Sequence, residues 1–215
     1  MARRLILPFV LAAAAGSGCT SDSMRWFVYV IAPWSQTKTQ DAEFADLVGQ
    51  KVAIAIFTNE NVAYEYPYAR LTVSNQVAAE LEKRVKKIKV VEPVTVLRYQ
   101  QENLNWDSMP RTELAKAFEA DYLLFISLVE YTAREPNSTD LCRGRIVADA
   151  SIYQASLPED RSQVWNAAGI SIVHPKDAPV GRLSREARNL LNETETKFVD
   201  ALVKKFYKHK VGIEQ

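Results

Sequence analysis

Cysteine, histidine and glycine are all scarce in this sequence of 215 residues, which holds two, two and seven of them. Two cysteines, Cys19 and Cys142, cannot build a disulfide framework, and a chain of this length can stand on its hydrophobic core without one. His174 and His209 lie far apart and in no zinc-ligand spacing such as His-Glu-x-x-His, so loop or surface positions account for them. Seven glycines leave no Gly-x-Gly-x-x-Gly fingerprint and no phosphate-binding loop, and Gly-x-Ser-x-Gly is absent as well. A nucleotide enzyme is thereby disfavoured, and no metal or cofactor is expected.

An excess of charge of one sign is missing too. Lys plus Arg number 27 against 26 Asp plus Glu, so the net charge of +1 supplies no field to draw in nucleic acid, and no nucleic-acid partner is expected. There is no internal repeat and no low-complexity tract. What remains, 47% hydrophobic and 25% charged residues, is the composition of a globule with a single core.

The first residues are what stands out. Arg3 and Arg4 precede an apolar stretch over 5–15, and Gly16, Ser17 and Gly18 then lead to Cys19. The apolar stretch is too short to cross a hydrocarbon layer of about 30 Å as a helix, so the whole describes a cleavable leader rather than an anchor helix. Small residues before Cys19 let a peptidase seat the extended backbone in a narrow cleft. The segment resembles the lipobox of bacterial lipoproteins, with Ser17 and Gly18 at the small positions and Cys19 as lipid acceptor; Gly16 departs from the usual aliphatic residue. That resemblance implies cleavage before Cys19 and membrane attachment through acyl chains on its sulfur. Thr20, where Asp would signal retention, implies the outer rather than the inner membrane. A plain secretory leader and a buried amino-terminal helix are the alternatives. With Cys19 lipidated, Cys142 has no disulfide partner and is read as a lone structural or half-exposed thiol, the rival being a redox thiol favoured by Arg143 and Arg145.

Behind the leader, over 1–18, the chain divides into a lipidated tether over 19–43, a single α/β domain over 44–210 and a tail over 211–215. The tether carries an apolar segment, 26–34, which is far shorter than the roughly 20 residues of a membrane-spanning helix. It packs on the domain or lies in the lipid interface, where Trp is favoured.

Within the domain, residues 51–57 have no polar face after Lys51, as expected of a central strand covered on both sides. Asn and Tyr then mark a loop over 59–70. Leu71, Val77, Ala78, Leu81 and Val85 recur at helical spacing, with Glu80, Glu82, Lys83 and Arg84 on the remaining surface. A short strand follows over 88–91, then a helix opened by Pro93 and another opened near Met109 and Pro110, with Leu114, Ala115, Ala117 and Phe118 inward. Residues 122–129 form a third, strongly apolar strand. From 143 to 153 the pattern alternates, placing Ile146, Ala148, Ala150 and Ile152 on one face of a half-covered antiparallel strand. Its partner over 163–173 carries Val164, Asn166, Ala168, Ile170 and Ile172 on one side. A loop over 176–183 leads to a long C-terminal helix starting near Ser184, with Leu191, Phe198, Leu202 and Phe206 in one stripe. Crossovers first and a hairpin afterwards imply an α/β (mixed α+β) fold: a mixed parallel and antiparallel sheet with helices packed against it.

This order of elements resembles the α/β domain shared by the curli-secretion lipoprotein, the TolB amino-terminal domain and the lipoprotein activators of penicillin-binding proteins. The likeness runs through Val52 to Phe57, Val77 and Leu81, Val90 to Glu92, Leu114 and Ala115, Ala120 to Leu124, and Val164 with Trp165. The Tyr-Glu-Tyr-Pro stretch at Tyr64 and the Phe-Tyr-Lys-His-Lys stretch at Phe206 are similar to segments of a family of uncharacterised bacterial lipoproteins. These resemblances imply a non-enzymatic interaction or assembly module of the cell envelope, facing the periplasm, with an envelope protein as partner. The membrane-spanning hairpins of the curli pore have no counterpart in the sequence.

Two surface readings follow. Tyr64, Tyr66, Tyr68 and Arg70 leave the carboxyl end of the first domain strand, the edge where open α/β sheets bind ligands, and are residue types enriched at binding hot spots. They form a partner-binding surface or, alternatively, close the core beneath the loop; a small-molecule-binding or enzymatic domain using 59–70 is the rival function. Basic residues gather at 83–87 and at 204–210. Positive charge near a helix carboxyl end suffices to explain both, with attraction to anionic lipid or peptidoglycan as the alternative.

Overall fold

The computed structural model describes residues 37–212, so Cys19, the leader and the segment 26–34 lie outside the described residues. The unit Thr39–Val211 holds the fold. The strands of the described residues are β1 (Thr37–Gln40), β2 (Lys51–Thr58), β3 (Lys89–Val90), β4 (Tyr122–Arg134), β5 (Leu141–Gln154), β6 (Gln163–His174), β7 (Val180–Gly181) and β8 (His209–Gly212). The α-helices are α1 (Glu60–Glu65), α2 (Ala69–Arg84), α3 (Pro93–Glu102), α4 (Arg111–Ala117) and α5 (Leu190–Val203). A 3-10 turn, Lys204–Phe206, extends α5 to make the long C-terminal helix.

The main sheet runs β3-β2-β4-β5-β6, with β7 added to β5, while β1 and β8 pair as a separate ribbon. β2 is parallel to β3 and to β4, and the pairs from β4 to β6 are antiparallel. The mixed sheet expected from crossovers followed by a hairpin is present. The central strand, however, is β4. β2 is next to the edge, and it needs cover on both faces because the parallel half carries helices on both sides.

One face of the sheet presents Val52, Ile54, Ile56, Leu124, Ile126, Leu128, Ile146, Ala148, Ala150 and Ile152 to a core closed by α2 and α5. Val73, Val77 and Leu81 come from α2, and Phe198 and Leu202 from α5, all fully buried. Each such side chain contributes about 1.5–3 kcal/mol of transfer free energy. On the opposite face Ala53, Ala55 and Leu123 meet Val96 of α3, Trp106, Leu114, Ala115 and Phe118. Alanines at 53 and 55 leave room for α3 to approach the β2 backbone closely.

Six sequence expectations need correction. Residues 59–70 are helical in large part, holding α1 and the start of α2. Leu71 is only half-buried and Val73 takes its place in the core; likewise Ala117 is exposed and Thr112 is buried. The loop over 176–183 contains β7, and the last helix begins at Leu190 rather than near Ser184, after a 3-10 turn at Glu186–Arg188. The simple alternation expected in β6 is broken. Ala148 pairs with Ile170 but Ala150 with Ala167, so β6 holds one residue too many there. Gly169 absorbs it at φ 66°, donating its N–H to Asp149 Oδ1 at 2.7 Å. Trp165 and Ala167 therefore share a face with Ile152 and Ala150, and Asn166 and Ala168 are exposed.

Helix α4 follows Pro110, whose side chain can supply no cap. Glu159, from the turn before β6, supplies one: its carboxylate accepts from the N–H groups of Arg111 and Thr112 at 2.8 and 3.0 Å and from the Thr112 hydroxyl at 2.6 Å. Burial alone would raise the Glu159 carboxyl, but these bonds hold it below its ordinary range.

Gly144 of β5 lies under α5. A Cβ there would stand 2.9 Å from Thr194 Cβ and closer still to its hydroxyl. Gly144→Ala is expected to push α5 off the sheet at a cost of about 1–3 kcal/mol, read as a fall of roughly 2–4 °C in melting temperature per kcal/mol. Unchanged melting would mean that α5 can shift freely.

Candidate functional site

Asn59 ends β2 and starts α1. Its Oδ1 accepts the Val62 N–H at 2.9 Å, an ordinary side-chain N-cap, while its Nδ2 donates to the Val129 carbonyl at 3.1 Å. Val129 stands at a register shift between β4 and β5, so the bulge itself holds the start of the helix. Val62 is buried and fixes the inner face. The loop expected over 59–70 is thus a helix pinned at its first residue, a short turn, and then α2.

The four residues singled out in the sequence separate. Tyr66 turns inward: its ring meets Tyr131 edge-on at 5.0 Å between centroids, and its hydroxyl accepts the Ala133 N–H at 3.2 Å. Arg70 is half-buried, and loss of water lowers its guanidinium pKa below the ordinary value. Tyr64 and Tyr68 turn outward, 89% and 75% exposed. Glu65 pairs with Arg134 at 3.5 Å, tying α1 to the end of β4.

Beneath Tyr66 lies a polar chain that the sequence did not disclose. Glu195 of α5 is 3% exposed, and its oxygens accept from the Tyr131 hydroxyl and, at 2.8 Å, from Gln76 Nε2 of α2. The arrangement joins β4, α2 and α5 at one point. Only the placement of Glu195 among helix residues that otherwise face the core could have hinted at it. Burial first, and then the hydrogen bond to Glu195, push the Tyr131 hydroxyl pKa well above the tyrosine value.

Two concavities lie near the candidate residues and the basic runs. A crevice of about 470 Å³ beside Tyr66 is lined by Arg134, Ser138, Thr139, Cys142 and Arg182 among others. Cys142 is a free, half-buried thiol there. At the other end of the unit, the two basic runs come together. The Arg84 guanidinium sits over the Tyr207 ring, 5.6 Å from its centroid, and both line a groove of about 580 Å³ with Lys204, Lys208 and Lys210. His174 Nε2 contacts Glu193 at 2.9 Å, and His209 Nδ1 contacts the Tyr207 carbonyl at 3.1 Å. Among the described residues no three His, Cys, Asp or Glu gather as metal ligands, and no helix is long and apolar enough to cross a membrane.

No family model and no curated protein matches the sequence. Solved structures do. A PelC dodecamer from Paraburkholderia phytofirmans aligns with a TM-score of 0.44 and 14% identity over 80% of this chain and 98% of its own. Lipoprotein GNA1162 from Neisseria meningitidis has the same TM-score and identity, over 71% and 96%. Protein XCC0632 from Xanthomonas campestris reaches 0.44 at 10% identity, over 78% and 91%. Likenesses of that size are confined to the course of the backbone and say nothing of this chain's role.

Two outcomes test the site's construction. Tyr64→Ala with Tyr68→Ala is expected to leave stability within about 0.5 kcal/mol, as for exposed positions, whereas Tyr66→Ala loses about 1–3 kcal/mol in denaturant unfolding. Because the folded pKa of Tyr131 is raised, its contribution is complete below the unfolded value near 10 and fades as pH rises above it. Tyr131→Phe is expected to cost about 1–3 kcal/mol at neutral pH, by depriving the buried carboxylate of a donor, and to flatten the alkaline fall in stability.

Proposed function

We propose that the chain is a membrane-anchored envelope lipoprotein, held by acyl chains on Cys19 and facing the periplasm from the outer membrane. Its α/β unit acts as a non-enzymatic protein-interaction or assembly module, and its partner is another envelope protein. The observation that carries this reading is the display of Tyr64 on α1 and of Tyr68 in the turn after it, with α1 fastened to β4 at its start by Asn59 and at its end by Glu65 and Tyr66. Rings presented on a fixed support lose little entropy on binding, which is why Tyr is favoured at hot spots. Arg70, with its guanidinium partly stripped of water, adds a cation at the same edge.

A second reading, small-molecule binding, is favoured by the crevice beside Tyr66, where two arginines and two hydroxyl residues converge. Crosslinking in living cells separates the two. Under the interaction reading, wild-type protein captures a distinct envelope protein and Tyr64→Ala with Tyr68→Ala loses it while the fold is kept. Capture that survives this change but fails with Arg182→Gln moves the function to the crevice. For the anchor, mass spectrometry of the native protein is expected to show a diacylated or triacylated amino-terminal Cys19; an intact leader with a free thiol at that residue rejects it.

A further inference from the structure

We propose that the groove between the carboxyl ends of α2 and α5 is a membrane foot: it seats on anionic phospholipid headgroups and holds Tyr64 and Tyr68 away from the bilayer. The inference rests on the anchored reading for its orientation, but its chemistry is that of the folded unit alone.

The two basic runs are over one hundred positions apart in sequence, and only the packing of α2 beside α5 brings them to one place. Arg84 lies over one side of Tyr207, and the His209 ring stands 5.5 Å from it. Tyr207 itself is half-buried, an amphipathic ring among cations, which suits the depth where headgroups meet water. Lys208 and Lys210 project into solvent.

Acidic residues are interleaved. Glu80 binds Lys83 and Arg84, Asp200 binds Lys204 at 2.6 Å, and Asp41 binds Lys208 at 2.9 Å. Counting these pairs together with Lys210, five cations face three carboxylates, 5 − 3 = +2. Such exposed pairs are worth little and exchange readily for phosphate. The resulting attraction is modest. It is the kind of second signal that adds to a lipid anchor rather than replacing one.

Two features decide in favour of a lipid surface. Thr39 lines the groove, and Asp41 and Glu43 are ion-paired to Lys208 and Lys205, so the chain coming from Cys19 joins the unit at this face. The groove also lies toward the amino end of β2, where Gly49 bonds to the Lys86 carbonyl and Lys51 pairs with Lys89, whereas α1 follows its carboxyl end. Eight residues of strand, roughly 26 Å at 3.3 Å each, separate the two. A domain standing on this end holds the tyrosines outward, where a periplasmic partner can reach them.

The test uses the full chain carrying Cys19→Ser, which cannot be acylated, sedimented with vesicles of phosphatidylcholine with or without phosphatidylglycerol. Binding is expected only with the anionic lipid and is lost at high salt. Lys208→Glu with Lys210→Glu is expected to weaken it at least tenfold. Arg98→Glu with Lys116→Glu makes the same change in net charge on the other side of the sheet and is expected to have no effect. Equal loss from both double variants, no response to phosphatidylglycerol, or binding to isolated peptidoglycan but not to vesicles overturns the proposal. Since no acyl chain is present, none of these results depends on whether Cys19 is lipidated in the cell.

Discussion

The parallel pairing of β2 with β4, continuous from Val52 and Tyr122 to Thr58 and Leu128, is the constraint from which the rest follows. Two parallel strands side by side cannot be joined by a hairpin, so the chain between them must cross over the sheet. The crossover delivers α2 to one face and α3 and α4 to the other. Burying both faces then demands strands without polar sides, which is what residues 52–56 and 122–126 supply. It also fixes where β2 ends, and α1 starts at that edge because Asn59 caps it and ties it to the bulge at Val129.

The antiparallel half meets a different demand. β5 and β6 are covered chiefly on one face, by α5, with α4 reaching only part of β5 on the other, so their residues alternate, and α5 must come close to the sheet to seal it. Gly144 under Thr194 makes that approach possible. Closing the core in this way brings a carboxylate with it, and the Glu195, Tyr131 and Gln76 network satisfies it at the junction of α2, α5 and β4. Buried polar groups of this kind are tolerated only when each has its partner, and they hold the joined elements in one arrangement. Tyr66 packs on the same Tyr131 ring, so the support of α1 and the core share a residue.

This division explains the separate fates of the tyrosines. A group of aromatic residues over a few positions does not say which rings face inward, because a six-residue helix turns successive side chains by about 100°. Here Tyr66, which closes α1, meets Tyr131, whereas Tyr64 within α1 and Tyr68 in the turn beyond it are exposed. The basic runs are a parallel case. Each read alone is explained by its helix dipole; together they make a groove, and no local pattern in either could announce the other.

The amino-acid sequence by itself determined strands β2 to β6, their order and the mixed sheet, but not β1, β7 or β8, since runs without a polar face and runs that alternate carry opposite burial requirements. It also determined the stripe of α5 through Phe198, Leu202 and Phe206, and the resemblance of the residues up to Cys19 to a lipoprotein leader is an expectation from sequence alone. Tertiary structure decided the bulge at Gly169, which shifts the face of β6 by one residue, because a single extra residue leaves no mark on composition. It likewise decided the Glu159 cap on α4, the buried Glu195 network, the outward turn of Tyr64 and Tyr68, and the meeting of Arg84 with Tyr207. Each of these joins groups far apart along the chain or depends on which way a short segment is rotated, and such contacts exist only once the sheet has brought the segments together.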